Sequence, residues 1–261
     1  MTISVLLTCW RRPQNLHRQI EAIRSQTVAP EEVVVWNNGE ALGEYEGVTI
    51  VNAGKNWGVW PRFAFAQFLA GDYVAVFDDD TIPGRKWFEN CLTVMKTATG
   101  DAVLGTCGLT FDGGERAKPR CWGWKNPMPD AVRVDIVGHA WFFPKWLSRE
   151  YAGKIPIDRF DTAGEDYFMS VVAQESMTGT YCPPHPPDDR ELWGSLYGME
   201  LGLDDVALCR MSEEAVKKDA VHRRYIQQGW RPLDMPSEEF HVQIRYPFHP
   251  TPFHPVIRQE P

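Results

Sequence analysis

Apolar residues come in short runs through the first hundred positions, and the runs alternate with stretches of helical spacing. Residues 3–8 read as a first strand. Residues 13–25 follow with Leu16, Ile20 and Ile23 on one helical face, and Pro13 suits the first turn. Val33, Val34, Val35 and Trp36 make a second strand that stops at the turn Asn37, Asn38, Gly39. Residues 48–51 predict a short third strand, 61–69 a helix, 73–77 a buried strand and 84–96 a helix. Residues 102–105 predict one strand more. Strand alternating with helix predicts an α/β fold whose mainly parallel sheet is covered by helices.

The pattern changes after residue 105. Residues 106–130 are rich in Gly, Pro, Arg and Trp and predict a long loop over the site. Strands are expected at 132–137 and 139–143, and helices at 144–151, 165–174, 193–208 and 212–228. The run Cys182 to Pro187 holds four prolines and cannot be helix interior. No internal repeat or clean linker divides the chain. The expected organisation is one domain over 1–261, with a first half (1–105), a second half (106–230) and a Pro/His-rich tail (231–261).

Composition narrows the function classes. The 261 residues are 43% hydrophobic, ample for a core. A net charge of -8 argues against general binding to nucleic acid or to an anionic membrane. The eleven tryptophans are expected mostly in the core, with some lining a substrate cleft. The six cysteines form no CxxC pair, so a zinc site is not expected, and their scatter fits reduced thiols in a cytoplasmic protein. The N-terminus has no signal-peptide pattern and no 18-residue apolar run exists, so no membrane span is expected.

The chemistry gathers at strand ends. Asp78, Asp79 and Asp80 close the apolar run 73–77, and three adjacent carboxylates repel one another unless a cation relieves them. Hard cations such as Mg²⁺ take oxygen ligands and share them with phosphates. In a parallel sheet the same edge collects Thr8, Cys9, Trp10, Arg11 and Arg12 after the first strand, and Asn37 and Asn38 after the second. Arginine offers forked donors for phosphate, and asparagine offers both donor and acceptor to a base edge. Asn56 and Arg62, flanking the third-strand loop, are further candidates for base and diphosphate. Glu165 and Asp166 open a predicted helix; acids favour a helix start, and one of them beside a sugar's anomeric carbon would serve as base or charge stabiliser. His185, His222, His241, His249 and His254 are expected to be structural or surface groups, with one of them a candidate to complete a metal shell.

Taken in order, these segments resemble the nucleotide-sugar half of a glycosyltransferase with the GT-A fold. Val33 to Asn38 and Phe77 to Thr81 are especially similar to the exostosin-like family of retaining hexosaminyltransferases, and more distantly to family-2 glycosyltransferases, which are mostly inverting. Val137 to Phe143 and Gly164 to Met169 resemble that family's acceptor-side strand and acidic helix start. The resemblance spans residues 3–175. It implies a metal-dependent transfer of a hexose or N-acetylhexosamine from a nucleotide diphosphate sugar, most simply a UDP-sugar, to a hydroxyl acceptor, with retention slightly ahead of inversion. It implies Mn²⁺ or Mg²⁺ on Asp78 and Asp80, with Asp79 beside them. It places Thr8, Trp10, Arg11, Arg12, Asn37, Asn38, Asn56 and Arg62 around the nucleotide, and Asp166, flanked by Glu165, at the reacting carbon. The acceptor stays open among glycan, protein, lipid-linked sugar and modified nucleobase. Two rivals remain: a sugar-1-phosphate nucleotidyltransferase, which would carry a Gly-rich loop where Thr8 to Pro13 stand, and an inactive nucleotide-sugar-binding module.

Overall fold

The computed structural model describes residues 1–98, 101–112, 119–124, 126–155, 164–194, 198–202 and 212–233. Among them nine strands form one sheet, in the order β3-β2-β1-β4-β8-β5-β9-β7, with β6 on β5. The strands are β1 (Ile3–Cys9), β2 (Glu32–Asn37), β3 (Thr49–Asn52), β4 (Tyr73–Phe77), β5 (Ala102–Phe111), β6 (Pro119–Gly123), β7 (Val132–Arg133), β8 (Ile136–Pro144) and β9 (Gly179–Cys182). The helices are α1 (Pro13–Arg24), α2 (Pro61–Phe65), α3 (Trp87–Ala98), α4 (Trp146–Lys154), α5 (Glu165–Glu175), α6 (Gly198–Leu201) and α7 (Ser212–Gln227).

β3, β2, β1 and β4 run parallel, and β8 joins β4 antiparallel. From β1 the chain winds outward to β2 and β3, then returns to the other side of β1 as β4. That reversal opens a crevice at the carboxyl ends of β1 and β4, where α/β sheets bind ligands.

Alternation along the strands builds two apolar layers. Ile3, Val5, Leu7 and Cys9 of β1 face one side with Leu16, Ile20 and Ile23 of α1 and with Trp87, Phe88 and Cys91 of α3. Leu6 of β1 and Val74 and Val76 of β4 face the other, against α2, α4, α5 and α7. There Trp60, Phe63, Tyr151 and Phe168 pack ring on ring, with centroids 4.9–6.3 Å apart. Such aromatic pairs contribute about 0.5–1.5 kcal/mol each beyond their burial. They lock α2 against α4 and α5, and so fix where residues 62 and 165 meet.

The first hundred residues follow the expected alternation, apart from α2, which ends at Phe65 and passes into a 3₁₀ turn, Ala66–Phe68. The second half departs from it. The stretch expected as a loop contains the end of β5 and the whole of β6, paired from Cys107 to Phe111. Arginine and tryptophan there are cross-strand residues: Trp122 Nε1 donates to Thr110 Oγ1 at 3.1 Å. The two strands expected at 132–137 and 139–143 divide elsewhere: β7 is two residues long, and β8 runs unbroken through Gly138. β9 was not expected at all; with four residues it is too short for a period. Trp193 and Gly194 are not helical, and the rest of the helix expected at 193–208 is described only as the single turn α6. The tail beyond residue 233 lies outside the described residues.

Candidate active site

The two strand ends at the crevice are tied by side chains. Leu7 pairs with Phe77, and Thr8 Oγ1 donates to the Phe77 carbonyl at 3.0 Å. The turn 78–81 is held from behind by α1. Asn15 Nδ2 donates to Asp79 O at 2.9 Å, and Gln19 Nε2 to Asp78 O at 2.7 Å and Thr81 O at 3.0 Å. Both amides are buried on the α1 face that holds Leu16 and Ile20. The backbone is satisfied from that side, which leaves the three carboxylates to face forward.

Two arginines meet them. Arg12, 8% exposed, holds Asp79 Oδ1 at 2.6 Å and Asp80 Oδ2 at 3.4 Å. Arg62, 6% exposed, is shared between Asp78 Oδ1 and, at 2.9 Å, Glu165 Oε1. Its guanidinium also lies over the Trp141 ring, 4.5 Å from the centroid. The expected phosphate contacts of Arg12 and Arg62 are thus carboxylate contacts in this structure. Arg62 joins the two acidic segments, and its partner Glu165 lies 103 residues away from it in sequence.

Burial and these charges separate the carboxyls. Burial lifts Asp78 above the ordinary carboxylate value, against the pull of Arg62. It lifts Asp79 to about 6, again opposed by Arg12. Burial would raise Asp80 as well, but the His139 imidazole and then Arg12 outweigh it and leave that carboxyl below its usual value. Asp166, half-buried at the start of α5, is lifted to about 6, first by burial and then by the charge of Glu165. Its Oδ1 accepts from the Tyr167 N–H at 2.8 Å. Glu165 is bound on both oxygens, to Arg62 and to the Gly164 N–H at 3.0 Å, so the two neighbouring acids stand in different surroundings.

Asp78, Asp80 and His139 each offer an atom such that all three lie within 4.8 Å of one another. His139 was not among the histidines weighed from the sequence. It enters because β8 lies beside β4, with Ala140 opposite Phe77 and the Asp78 N–H donating to the His139 carbonyl at 3.0 Å. Of the histidines that were weighed, His185 and His222 are buried in the core, and the other three lie outside the described residues.

The nucleotide-side candidates fall into two groups. Trp10 and Arg11 stack at 4.3 Å and line an open groove of about 650 Å³ with Pro13, Glu40 and Leu42. Asn37 borders that groove but is 1% exposed, and its amide donates to Glu40 O and Asn52 Oδ1, both at 2.7 Å. Asn38 braces the loop after β3: Nδ2 donates to Gly58 O at 2.9 Å, and Oδ1 accepts from Trp36 Nε1 and the Trp57 N–H. Asn56 is exposed in that loop, and its Oδ1 accepts from the Gly58 N–H at 2.8 Å. The asparagines therefore shape the walls, while Trp10 and Arg11 present their faces to the groove. A smaller depression of about 250 Å³ lies between α1 and the start of β2, away from the carboxylates.

Residues 4–155 match glycosyl transferase family 2. Among solved structures, the crystal structure of S. aureus TarS 1-349 is similar with a TM-score of 0.51 and 14% identity, covering 88% of this chain and 73% of that one. At that identity the likeness speaks to the fold. Among curated proteins none matches the chain. The family match is broader than the exostosin-like resemblance and does not carry it. It does decide against the nucleotidyltransferase and inactive-module readings. The chain belongs to glycosyl transferase family 2, a GT-A glycosyltransferase with its acidic strand end at the sheet's switch point.

Proposed function

We propose that the protein transfers a hexose or N-acetylhexosamine from a nucleotide diphosphate sugar, a UDP-sugar first, to a hydroxyl acceptor, with inversion and with a divalent cation. The observation that carries this reading is the Asp78, Asp80 and His139 cluster at the switch-point crevice. A cation fits there on the chemistry of the donors: two carboxylates meet a ring nitrogen, Nδ1 of His139, that is buried and has no hydrogen-bond partner. Asp78 and Asp80 would hold Mn²⁺ or Mg²⁺, which supplies positive charge to the departing diphosphate.

The chain's own groups do the rest. Trp10 and Arg11 form the face of the groove on which the nucleotide lies. Arg12 and Arg62 keep the acidic turn in place and lend it positive charge. Asp166 takes the proton from the acceptor hydroxyl as that oxygen bonds to the anomeric carbon and the bond to the diphosphate breaks. A carboxyl near 6 is half-ionised there and mostly ionised at neutral pH, which suits a general base. That, with membership of a mostly inverting family, favours inversion over the retention implied by the exostosin-like resemblance. Glu165, engaged by Arg62, positions the start of α5. No helix among the described residues is long and apolar enough to cross a membrane.

The test is calorimetry and turnover with UDP-sugars and MnCl₂. Asp80→Ala is expected to abolish cation-dependent donor hydrolysis, and Asp166→Asn to remove transfer while UDP still binds. Full transfer by Asp166→Asn would overturn its assignment as base, and UDP binding that ignores added cation would overturn the metal.

A further inference from the structure

β8 carries one residue too many. Against β5, Gly105 pairs with Trp141 and Cys107 with Gly138, so two steps along β5 answer three along β8. The surplus falls at His139 and Ala140. His139 takes it up with φ 67°, the left-handed region that a non-glycine side chain enters at a cost of roughly 1–2 kcal/mol. Bulges of this kind re-aim a side chain and recur beside active sites. Here the side chain turned is an imidazole. Its Nδ1 lies 3.8 Å from Asp80 Oδ1, too far for a hydrogen bond, and is buried without a hydrogen-bond partner. Trp124 stands edge-on to the ring at a centroid distance of 5.1 Å and closes off the space on that side. A re-aimed side chain, a ring set edge-on to Trp124 and a nitrogen beside two carboxylates with no hydrogen bond of its own suit a metal ligand.

We propose that His139 is a direct nitrogen ligand of the cation and tilts the site toward first-row transition ions, with Mn²⁺ as the probe, and away from Mg²⁺. The proposal rests on the cation-dependent reading above and adds to it the choice of ion. Mg²⁺ demands an octahedral shell of oxygens and gives up water reluctantly. A nitrogen donor tilts a carboxylate site toward the first-row transition ions, which accept imidazole. The family match concerns residues in sequence; the ligand role here comes from a bulge that sequence does not display.

The experiment uses the full chain with UDP and either MnCl₂ or MgCl₂. Pulsed electron paramagnetic resonance on the Mn²⁺ complex is expected to show a nitrogen coupling that changes when the histidines carry ¹⁵N. Calorimetry is expected to give tighter binding of Mn²⁺ than of Mg²⁺. His139→Asn, a residue that tolerates the left-handed conformation and offers an oxygen instead, should remove the coupling. It should also reduce the Mn²⁺ to Mg²⁺ preference by about 10- to 100-fold, the loss typical even of groups one layer further from a metal. If His139→Asn melts early, His139→Gly relieves the strain and should regain Mn²⁺ binding with added imidazole. Mn²⁺ binding that needs Asp80 but shows no nitrogen coupling, with the same preference in His139→Asn, would overturn the ligand role and leave cation dependence standing. No cation binding by the unmodified protein would overturn both.

Discussion

Arg62 concentrates more of this site than any other single residue. It is buried among Trp141, Asp78 and Glu165, and its charge is the counterweight to two acids on separate elements. Breaking such a pair costs more than forming it contributes, because the remaining charges stay buried. Arg62→Leu is therefore expected to lower stability by about 3–5 kcal/mol, read as a fall in the urea midpoint. Arg62→Lys keeps one charge but loses the fork that reaches two partners, and should fall between. Asp166 gives a prediction in pH. With its carboxyl at about 6, the proton-accepting form grows as pH rises through that value. Transfer at saturating donor should climb between about pH 5 and 7 and then level off. The same climb in Asp166→Asn would assign the titration to another group. Asp166 could be singled out from its place after Gly164, whereas the partners of Arg62 could not.

At the scale of elements, two glycines show how loops present the site. A methyl group on Gly39 would sit 2.1 Å from the Trp10 carbonyl oxygen, so the turn after β2 can approach the turn after β1 only without a side chain. Gly39→Ala should push the two walls of the groove apart, weaken nucleotide binding, and lower stability by about 1–3 kcal/mol, measured by calorimetry and thermal melting. Gly164 has φ 123° and would press a methyl group to 2.8 Å from a Val221 methyl of α7. Gly164→Ala should twist the start of α5, lower kcat more than it changes nucleotide affinity, and cost about 1–3 kcal/mol. Elements of the first half were legible because each spans one period and ends in a turn residue. β6 and β9 were not, because Gly, Pro and Trp mark loops locally and become strand residues only when β5 supplies a partner.

For the molecule as a whole, His185 links the fold to pH. It lies fully buried between Trp87 and Trp193, and burial lowers its pKa from 6.5 to about 4. The unfolded chain binds that proton more readily, so this group takes stability away as pH falls from about 6.5 to 4. Asp79 and Asp166, raised to about 6, act with the opposite sign: the native state keeps their protons longer, so they remove stability as pH rises through the same range. The effects overlap, and the difference between the wild type and His185→Gln isolates the first. That difference should change by about 3 kcal/mol between pH 7 and 4, with the wild type losing more. A constant difference would mean that His185 takes up its proton equally readily in the folded and the unfolded chain.

The sequence by itself determined the parallel first half, the acidic triplet at the end of a buried strand, and the acid pair at a helix start. Those are local facts: a period, a turn residue, a charge where a strand stops. The tertiary structure alone decided that Arg12 and Arg62 face carboxylates, that Asn37 and Asn38 brace walls, and that His139 joins Asp78 and Asp80. Each of these depends on which strands lie side by side and in what register. Sheet order and a one-residue bulge set that across separations as long as the 67 residues between Arg12 and Asp79, beyond the reach of any local pattern.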